Sequence, residues 1–540
     1  MKKLLYCLFI SLVSILTAQE KPKLVIGIVV DQMRQDYILR FSNKFSDGGF
    51  KRMIGEGFQF RNAHYNYVPT YTAPGHASIY TGTTPSNHGI IGNGWYSPET
   101  NLNVYCVSDP AQSGIGGSNS SGKMSPKNLL TSTITDELRI TTNFQAKVVG
   151  VSIKDRGSVL PAGHSPNGAY WFDSKTGNFM TSTYYMDKLP NWVKKFNGKN
   201  LAAKYLENTW STLLPIKAYA ESTMDNAPYE RSFRGKEETT FPYDLKELAK
   251  ENGVGLVRST PFGNTLVLDM ALAAIEGEKL GADETTDMLA ISFSSTDYIG
   301  HQFGSNSVEV QDTYLRLDLE LERLFEYLDA NFKDEYMVFL TSDHGVVNVP
   351  QFLEDNKMVG GYLEQDKFAA SLNDTITSVL GAGEWVLNIG NDQVFLNRDL
   401  IQEKGLNITE VRKTIRDIII GFDGISDAYT KEEIIERKST DIFKKRIEHG
   451  FNAKRSGDIA VRLSPGLLSV SSTSDRKGTS HGSGYTYDTH IPIIFFGKGI
   501  KKGNSVRPVA IIDIAPTLSM LLNTSLPNAS TGIPLLELFD

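Results

Sequence analysis

The sequence predicts an α/β fold in which helices flank a mostly parallel central sheet. Two observations support this prediction. Residues 23–30 (KLVIGIVV) form a continuous apolar, β-branched run, which is typical of a strand buried on both faces of a parallel sheet. Similar runs recur along the chain and alternate with segments of helical periodicity, which is the order that builds a parallel sheet.

Several predicted strands lead directly into charged side chains. The first run ends at Asp31, and KVVGVSI (147–153) leads into Lys154. Further strands are predicted over DMLAISFSSTD, which ends on Asp297, and over YMVFLTSDHG, which contains Asp343. A single Asp after a strand is usually a turn residue or a helix cap. Because ligands bind outside the carboxyl ends of strands in open α/β sheets, three such acids predict a shared site at that edge.

The other predicted elements fit one domain with two insertions. Helices are predicted over residues 129–139, 265–280, 308–331, 408–420, 430–448 and 513–522, and core strands over GDIAVRL (457–463) and IPIIFFG (491–497). Two stretches differ in composition from this core: about 165–262, rich in Asn, Gly, aromatic residues and Lys, and about 350–455, which is more charged. We interpret both stretches as cap-type insertions in a single domain spanning residues 20–540.

Residues 1–19 have the features of a cleavable export signal. Lys2 and Lys3 precede an apolar run over 4–16, and Leu16-Thr17-Ala18 provides a suitable cleavage site. The apolar run is too short to span a bilayer comfortably, and no later stretch approaches 18 apolar residues. We therefore expect a periplasmic or secreted protein with no stable membrane insertion.

Composition limits the function classes further. Cys106 is the only cysteine that remains after removal of the signal, so no internal disulfide can form and a large core must stabilise the fold. Loss of Lys2 and Lys3 takes the formal net charge from −7 to −9. This mild acidity argues against binding to nucleic acids or to a membrane surface, and we expect a monomer that acts on small molecules.

The stretch YVPTYTAPGHASIYTG (67–82) predicts a helix start at Thr72. Thr72 takes the N-cap position in this prediction, and Pro74 fits the first turn. A helix N-terminus offers free N–H groups and a partial positive charge, which suit a phosphate or a sulfate. The Thr72 hydroxyl could act as a nucleophile once deprotonated, whereas an ordinary N-cap is the alternative interpretation of this residue by itself.

Acids and histidines elsewhere in the chain predict a pair of metal sites. The pattern Asp297-x-x-x-His301 places a carboxylate and an imidazole one helical turn apart, and Asp343-His344 supplies adjacent donors. Three Asp and three His divide into two three-ligand sites, each with an open position; the six residues are Asp31, Asp297, His301, Asp343, His344 and His481. Mixed imidazole and carboxylate ligation suits zinc, with manganese or iron as alternatives. Two metals about 4 Å apart would clamp an in-line displacement at phosphorus, and coordination would deprotonate the Thr72 hydroxyl.

These features resemble a known family. The order of Asp31, the Thr72 helix start and the later metal-binding pattern is similar to that of the alkaline phosphatase superfamily, and most closely to its PafA-type bacterial members. Further stretches similar to this family's motifs are VVDQMRQDY, NYVPTYTAPGH, SIKDRGSVLPAGH, SSTDYIGH and SDHG. The resemblance covers nearly the whole mature chain and implies an alkaline phosphatase-like catalytic domain with two Zn²⁺ ions. It implies that Asp297, His301 and His481 hold one zinc ion and that Asp31, Asp343 and His344 hold the other. It also implies that Thr72 is the nucleophile and lies beside the zinc ion held by Asp31, Asp343 and His344.

The resemblance also implies three substrate-binding residues. Asn93 in GIIGNGWY is similar to the family's donor to a phosphate oxygen, and Lys154 and Arg156 in SIKDRG are similar to the pair that contacts the transferred phosphoryl group. A Lys and an Arg just past a strand end suit a dianion. The alternative interpretations are a Gly-Asn-Gly turn for Asn93 and a solvated loop for Lys154 and Arg156. We interpret four other histidines as structural: His76, His88, His164 and His490.

We therefore expect an exported zinc-dependent phosphatase that hydrolyses phosphate monoesters through a phosphothreonine at Thr72 and releases inorganic phosphate. The nearest alternative is a phosphodiesterase or nucleotide pyrophosphatase with the same metals, and Lys154 discriminates because a diester has one fewer negative oxygen. A sulfatase is disfavoured, since Thr72-Ala73-Pro74-Gly75 replaces the C/S-x-P-x-R context of those enzymes. The non-enzyme alternative, a periplasmic phosphate- or metal-binding protein, gives no reason for a nucleophile among six metal ligands.

Overall fold

An eleven-stranded central sheet dominates the computed structural model, which describes residues 21–539. Its strands are β1 (Leu24–Val30), β2 (Phe58–His64), β3 (Gly114–Ile115), β4 (Val148–Ser152), β5 (Gly168–Asp173), β6 (Asn178–Ser182), β7 (Asp287–Phe293), β8 (Tyr336–Thr341), β9 (His490–Gly497), β10 (Gly503–Ser505) and β11 (Val509–Ala510). They lie in the order β10-β2-β9-β8-β1-β7-β4-β5-β6-β3, and β11 also pairs with β2. The predicted α/β fold with a mostly parallel central sheet is confirmed.

The five strands at the centre of the sheet, β8, β1, β7, β4 and β5, run parallel. In their register Val30 lies opposite Phe293, and Val29 lies opposite Thr341. Every residue of β1 and β7 is buried, which explains their continuous apolar runs. The carboxyl ends of these strands therefore meet at one edge, where the charged residues that follow them must lie close together.

Helices cover both faces of the sheet. The main ones are α1 (Thr72–Thr81), α2 (Asp155–Ala162), α3 (Phe262–Glu278), α4 (Ser295–Phe303), α5 (Val308–Phe332) and α6 (Ile514–Leu522). Side chains of β1 alternate between the two faces. Ile26 and Ile28 pack into the core that contains α3 and α5, whereas Val25 and Val29 pack into the core that contains α1 and α6.

Four of the predicted helices are confirmed with nearly the predicted bounds. The helices predicted over 265–280, 308–331, 408–420 and 513–522 are α3, α5, Ile408–Ile420 and α6. The helix predicted over 129–139 begins later, at Ile134, because Thr133 caps it by accepting a hydrogen bond from Asp136 N. The single helix predicted over 430–448 is two shorter ones, Lys431–Ile435 and Ile442–Gly450.

Two segments differ from the sequence prediction in the sheet to which they belong. YWFDSKTGNF was predicted to lie in an insertion, yet it forms most of the β5–β6 hairpin of the central sheet, because Tyr170, Phe172 and Phe179 bury their rings in its core. GDIAVRL was predicted to be a core strand, yet Ile459–Leu463 belongs to a separate four-stranded sheet. A short apolar run identifies a strand but does not determine its partners.

The separate four-stranded sheet has its own core. Its strands are Val386–Gly390, Gln393–Leu396, Ile459–Leu463 and Ile425–Thr430, in that order across the sheet. The helices Gln365–Leu380 and Ile408–Ile420 pack on this sheet around the fully buried Trp385. We call this sheet with its helices the small layer. The insertion boundaries at about 165–262 and 350–455 stay a prediction.

The predicted export signal, residues 1–19, lies outside the described residues. Between residues 21 and 539, none of the helices combines the length and the apolar character needed to cross a bilayer.

Gly75 allows α1 to approach the end of β8, and its replacement tests this packing. A Cβ atom at Gly75 would collide with the backbone oxygen of Asp343. We expect Gly75→Ala to lower the free energy of unfolding by about 1–3 kcal/mol, because the backbone must shift. Urea unfolding followed by circular dichroism measures this change. Gly55→Ala is the matched control, since Gly55 also lies in a helix and has open space around its Cα; equal effects of the two substitutions would contradict the prediction.

Candidate active site

Most of the predicted metal ligands lie at the carboxyl edge of the central strands. Asp31 directly follows β1, and Asp343 and His344 follow β8 after one further residue. Asp297 and His301 lie one turn apart on α4, which places both side chains on the same face of that helix. The prediction that Asp297 ends a strand is wrong, because β7 ends at Phe293 and the chain turns into α4 two residues later.

The ligand atoms form two clusters that meet at His344. Asp31, Asp343 and His344 offer atoms that all lie within 4.8 Å of one another, and this set equals one of the two predicted sites. The second compact set is Asp297, His344 and His481, in which His344 stands in place of the predicted His301. The rings of His344 and His481 stack with centroids 3.5 Å apart, so His344 lies within reach of both groups.

His301 nevertheless lies against the second cluster. Its Nε2 atom is 3.1 Å from Asp297 Oδ1, compared with 3.5 Å for Nε2 of His481. Asp297 Oδ1 thus has both of its predicted histidine partners as neighbours, and the structure brings all six predicted ligands together.

Backbone carbonyls orient the three imidazoles. Nδ1 of His301 lies 2.7 Å from Thr479 O, Nδ1 of His344 lies 2.9 Å from Gly345 O, and Nδ1 of His481 lies 2.8 Å from Thr70 O. A carbonyl oxygen only accepts hydrogen bonds, so Nδ1 carries the proton in each ring. The Nε2 lone pairs then face the carboxylates, which is the arrangement that metal-binding histidines adopt.

Several atoms of these clusters are buried without a hydrogen-bond partner. They are Asp31 Oδ1, Asp343 Oδ2 and His344 Nε2. Burial raises the pKa of Asp31, and the charge of Asp297 adds to this shift. Burial and then the charge of Asp31 raise the pKa of Asp343 as well. Unpaired carboxylates and an imidazole lone pair fit a divalent cation, whose charge would offset the repulsion, and the N/O donor set suits zinc.

Thr72 lies at the start of α1, beside both clusters. It is the first helical residue rather than the predicted N-cap, because Tyr71 takes the extended cap conformation and no side chain caps the helix. Asn93 lies next to it: Asn93 Oδ1 accepts a hydrogen bond of 2.9 Å from Ala73 N. This contact leaves the amide Nδ2 group of Asn93 to donate to a ligand at the helix N-terminus.

The Lys154 ammonium lies between Thr72 and both clusters. Its Nζ atom lies 2.7 Å from Asp31 Oδ2, 2.6 Å from Asp297 Oδ2 and 3.4 Å from Thr72 Oγ1. Burial disfavours the charged ammonium, but the carboxylates of Asp297 and Asp31 outweigh burial and raise the pKa of Lys154 above its ordinary value. Lys154 is therefore a buried cation rather than a residue of a solvated loop.

Arg156 lies at the start of α2, two residues beyond Lys154. Its Nη1 atom donates a hydrogen bond of 3.1 Å to the hydroxyl of Tyr105, which in turn donates to Asp155 Oδ1. Nε of Arg156 is buried and has no hydrogen-bond partner. The guanidinium is thus held on one side by Tyr105 while a donor remains unpaired.

His76 is not available as a general base. Its Nδ1 atom bonds the carbonyl of Thr72, one turn back on α1, and its Nε2 atom bonds the hydroxyl of Ser292 on β7. Burial lowers the pKa of His76 to about 3. Both ring nitrogens therefore hold α1 against the sheet, in agreement with the structural role that we predicted.

Gln32 is a site residue that the sequence analysis missed. Its backbone N donates to Asp343 Oδ1 at 3.1 Å and its side-chain amide donates to Asp297 Oδ1 at 2.8 Å, so one residue links the two clusters. Its φ of +66° is uncommon for a residue other than glycine. Gly300 on α4 has no Cβ atom, and one there would collide with the Gln32 side chain. A polar residue directly after Asp31, at the end of a buried strand, was the available signal.

Comparison with known proteins identifies the family of this chain. The family described as type I phosphodiesterase / nucleotide pyrophosphatase matches residues 25–485. The alkaline phosphatase PafA of Elizabethkingia meningoseptica is 46% identical over 96% of this chain and 95% of its own length. A protein of Myroides odoratus described as a calcium-transporting ATPase is also 46% identical, over 99% of this chain and 98% of its own.

A solved structure has the same fold. The crystal structure of a wild-type alkaline phosphatase PafA superposes with a TM-score of 0.93 and 45% identity, covering 97% of this chain and 100% of that one. The chain therefore belongs to the type I phosphodiesterase / nucleotide pyrophosphatase family and, within it, to the PafA-type alkaline phosphatases, which are phosphate monoester hydrolases.

Proposed function

We propose that this enzyme is an exported alkaline phosphatase that holds two zinc ions and hydrolyses phosphate monoesters through a covalent phosphothreonine at Thr72. The observation that carries the proposal is the position of Thr72 Oγ1 at a helix N-terminus, 3.4 Å from the ammonium of Lys154 and beside two clusters of carboxylates and imidazoles. A hydroxyl in such surroundings is the group that a phosphate dianion would meet first.

We assign one ion to Asp31, Asp343 and His344 and the other to Asp297, His301 and His481. This division gives each ion three residues of its own, and it is supported by the 3.1 Å approach of His301 to Asp297. When bound, the two ions supply Lewis-acid charge that stabilises negative oxygens and lowers the pKa of hydroxyl groups and water. Thr72 would complete the first site as a further ligand.

The residues around Thr72 bind and orient the ester. The amide Nδ2 of Asn93 and the guanidinium of Arg156 donate to phosphoryl oxygens, and Lys154 adds the charge of its ammonium. Thr72 Oγ1 then attacks phosphorus in line, forming the Oγ1–P bond as the bond from phosphorus to the ester oxygen breaks. Water attacks the phosphothreonine in the second half-reaction, which releases inorganic phosphate and restores the Thr72 hydroxyl. Over the cycle, the two protons of the water go to the alcohol and to phosphate.

Lys154 supports a preference for monoesters over diesters. A monoester dianion brings one more negative oxygen than a diester, and a buried ammonium gains most from meeting it. The wider family includes enzymes described as phosphodiesterases, so substrate class depends on residues such as this one. A binding protein without turnover is not favoured, because the relatives that share this fold along the whole chain include alkaline phosphatases.

We further propose that residues 1–19 direct export to the periplasm or beyond and that the mature enzyme acts as a monomer. The basic start, the apolar run and the cleavage site support export. Mass spectrometry of secreted protein, with a mature N-terminus after Ala18 or Gln19, tests the cleavage.

Thr72→Ala tests the nucleophile. Removal of the hydroxyl should lower kcat/KM on an aryl phosphate monoester by roughly 10³-fold or more, because no group remains to form the covalent intermediate. Thr72→Ser is the matched control and should keep measurable turnover and a phosphoserine that acid quenching traps. An alanine variant that keeps wild-type kcat/KM, with no contaminating phosphatase, would contradict the assignment.

Lys154→Ala tests the monoester preference. We expect kcat/KM on the aryl monoester to fall roughly 10²–10³-fold, as for loss of one donor to transition-state charge, while kcat/KM on the matched aryl diester changes little. The exposed Lys175 provides the control variant Lys175→Ala, which should behave as wild type. Equal losses on both substrates would show that Lys154 does not discriminate between them.

Metal removal tests the two-ion site by stability as well as by activity. Treatment with a chelator should abolish turnover and lower the Tm, because only the ammonium of Lys154 then compensates the repulsion among the carboxylates of Asp31, Asp297 and Asp343. Addition of zinc should restore both properties at two equivalents per chain, counted by elemental analysis. Zinc binding that saturates at one equivalent per chain, or a Tm that the chelator does not change, would contradict the assignment of two metal sites.

A further inference from the structure

A two-residue hairpin loop of the small layer reaches the active site. Asn391 and Asp392 join the strands Val386–Gly390 and Gln393–Leu396, and both have φ of +54°. Loops with two positive φ values favour Asn-Gly, because glycine adopts this conformation without strain. Asp392 therefore occupies a position where glycine would be the more stable choice.

The tip of this hairpin is docked on the loop that carries Asn93. Asn391 Nδ2 donates a hydrogen bond of 2.8 Å to Gly94 O. On the other side of Asn93, a Cβ atom at Gly92 would lie 2.6 Å from Asn391 Nδ2. Since Asn93 itself accepts from Ala73 N at the start of α1, the hairpin tip has a defined position relative to Thr72.

Asp392 faces a cavity of about 120 Å³ that starts at the active site. Among its lining residues are Tyr71, which precedes Thr72, and the predicted metal ligand His481. Between residues 21 and 539 no side chain donates a hydrogen bond to the Asp392 carboxylate or forms an ion pair with it, and burial alone raises its pKa, to about 6. The carboxylate is thus ionised at neutral and alkaline pH and lacks a partner.

The walls of the cavity combine aromatic rings with a second acid. Five aromatic rings line it, those of Tyr71, Phe443, Phe451, Tyr485 and Tyr487. Asp488 also lines it; its Oδ2 atom accepts from Gly482 N and Ser483 N, while its Oδ1 atom is buried without a partner. The guanidinium of Arg462 also lines the cavity and carries a positive charge; its Cζ atom lies over the Phe443 ring, 3.7 Å from the ring centroid.

We propose that this cavity binds the alcohol part of the substrate and selects alcohols that carry an ammonium group, with Asp392 as its counter-ion. This inference rests on the proposed function. We take the proposed site of Asp297, His301 and His481 as the one that would face the leaving oxygen. Since His481 also lines the cavity, the alcohol would then leave on the side where the cavity begins. A substrate cation gains there from an unpaired carboxylate and from the faces of the rings that Arg462 does not cover, both of which attract positive charge.

A pair of substrates with equal shape and different charge tests the proposal. Choline phosphate carries a quaternary ammonium, and 3,3-dimethylbutyl phosphate replaces the nitrogen with carbon. We expect kcat/KM of the zinc-loaded wild-type enzyme to be about tenfold higher for choline phosphate, as for one cation–π and counter-ion contact. Asp392→Asn should abolish this difference by lowering kcat/KM for choline phosphate only. Asn accepts a positive φ, so the hairpin is retained.

The control variant is Asp423→Asn, which removes an exposed acid in the small layer and should leave both values unchanged. Equal kcat/KM of the wild-type enzyme for the two substrates would overturn the proposal, and so would an equal loss on both in Asp392→Asn. A higher kcat/KM for phosphoglycolate, which carries a carboxylate, than for choline phosphate would indicate that Arg462 selects the substrate. This result would overturn the proposal as well. Failure of the proposed function is distinguishable, because an aryl phosphate monoester would then not be hydrolysed either.

Discussion

The structure depends on one electrostatic arrangement: the buried ammonium of Lys154 between the carboxylates of Asp31 and Asp297, at 2.7 and 2.6 Å. The parallel sheet forces these charges together, because the carboxyl ends of β1, β7 and β8 meet at one edge. Carboxylates buried this close to each other repel strongly unless cations compensate them. The Lys154 ammonium is one such cation, and the remaining carboxylate and imidazole atoms leave room for metal ligation. In the proposed mechanism the same charges act on a phosphate.

The hydrogen bonds that orient the side chains of the candidate site come from residues spread over most of the chain. Residues from Asp31 to His481 contribute to the site, and each imidazole is oriented by a carbonyl from a different loop. Gln32 links the two ligand clusters and accepts an unusual backbone conformation to do so. Strain of this kind persists only where the surrounding structure holds it, and here it is found at the centre of the candidate site. The small layer contacts the Asn93 loop through the hairpin tip at Asn391 and Asp392.

The central fold could be predicted from the sequence because its strands are buried on both faces and therefore uniformly apolar. The long helices α3 and α5 were predicted with ends within three residues of those observed. The errors arose in short segments. The β5–β6 hairpin carries aromatic residues and a turn, which are equally typical of a cap, and Ile459–Leu463 has the composition of a core strand but pairs in the small layer. Sheet membership depends on contacts distant in sequence, which local composition does not encode.

For this protein the sequence by itself determined the fold class, the chemical types of the site residues and their spacing, since these follow from local periodicity and from the donors that a metal or a phosphate requires. Only the tertiary structure decided that Lys154 is a buried cation, that His344 lies between both clusters, that Gln32 joins them and that Asp392 faces a cavity without a partner. These properties are distances between atoms on segments far apart in the chain. They are set by how the sheet and the small layer pack, and no local pattern carries that information.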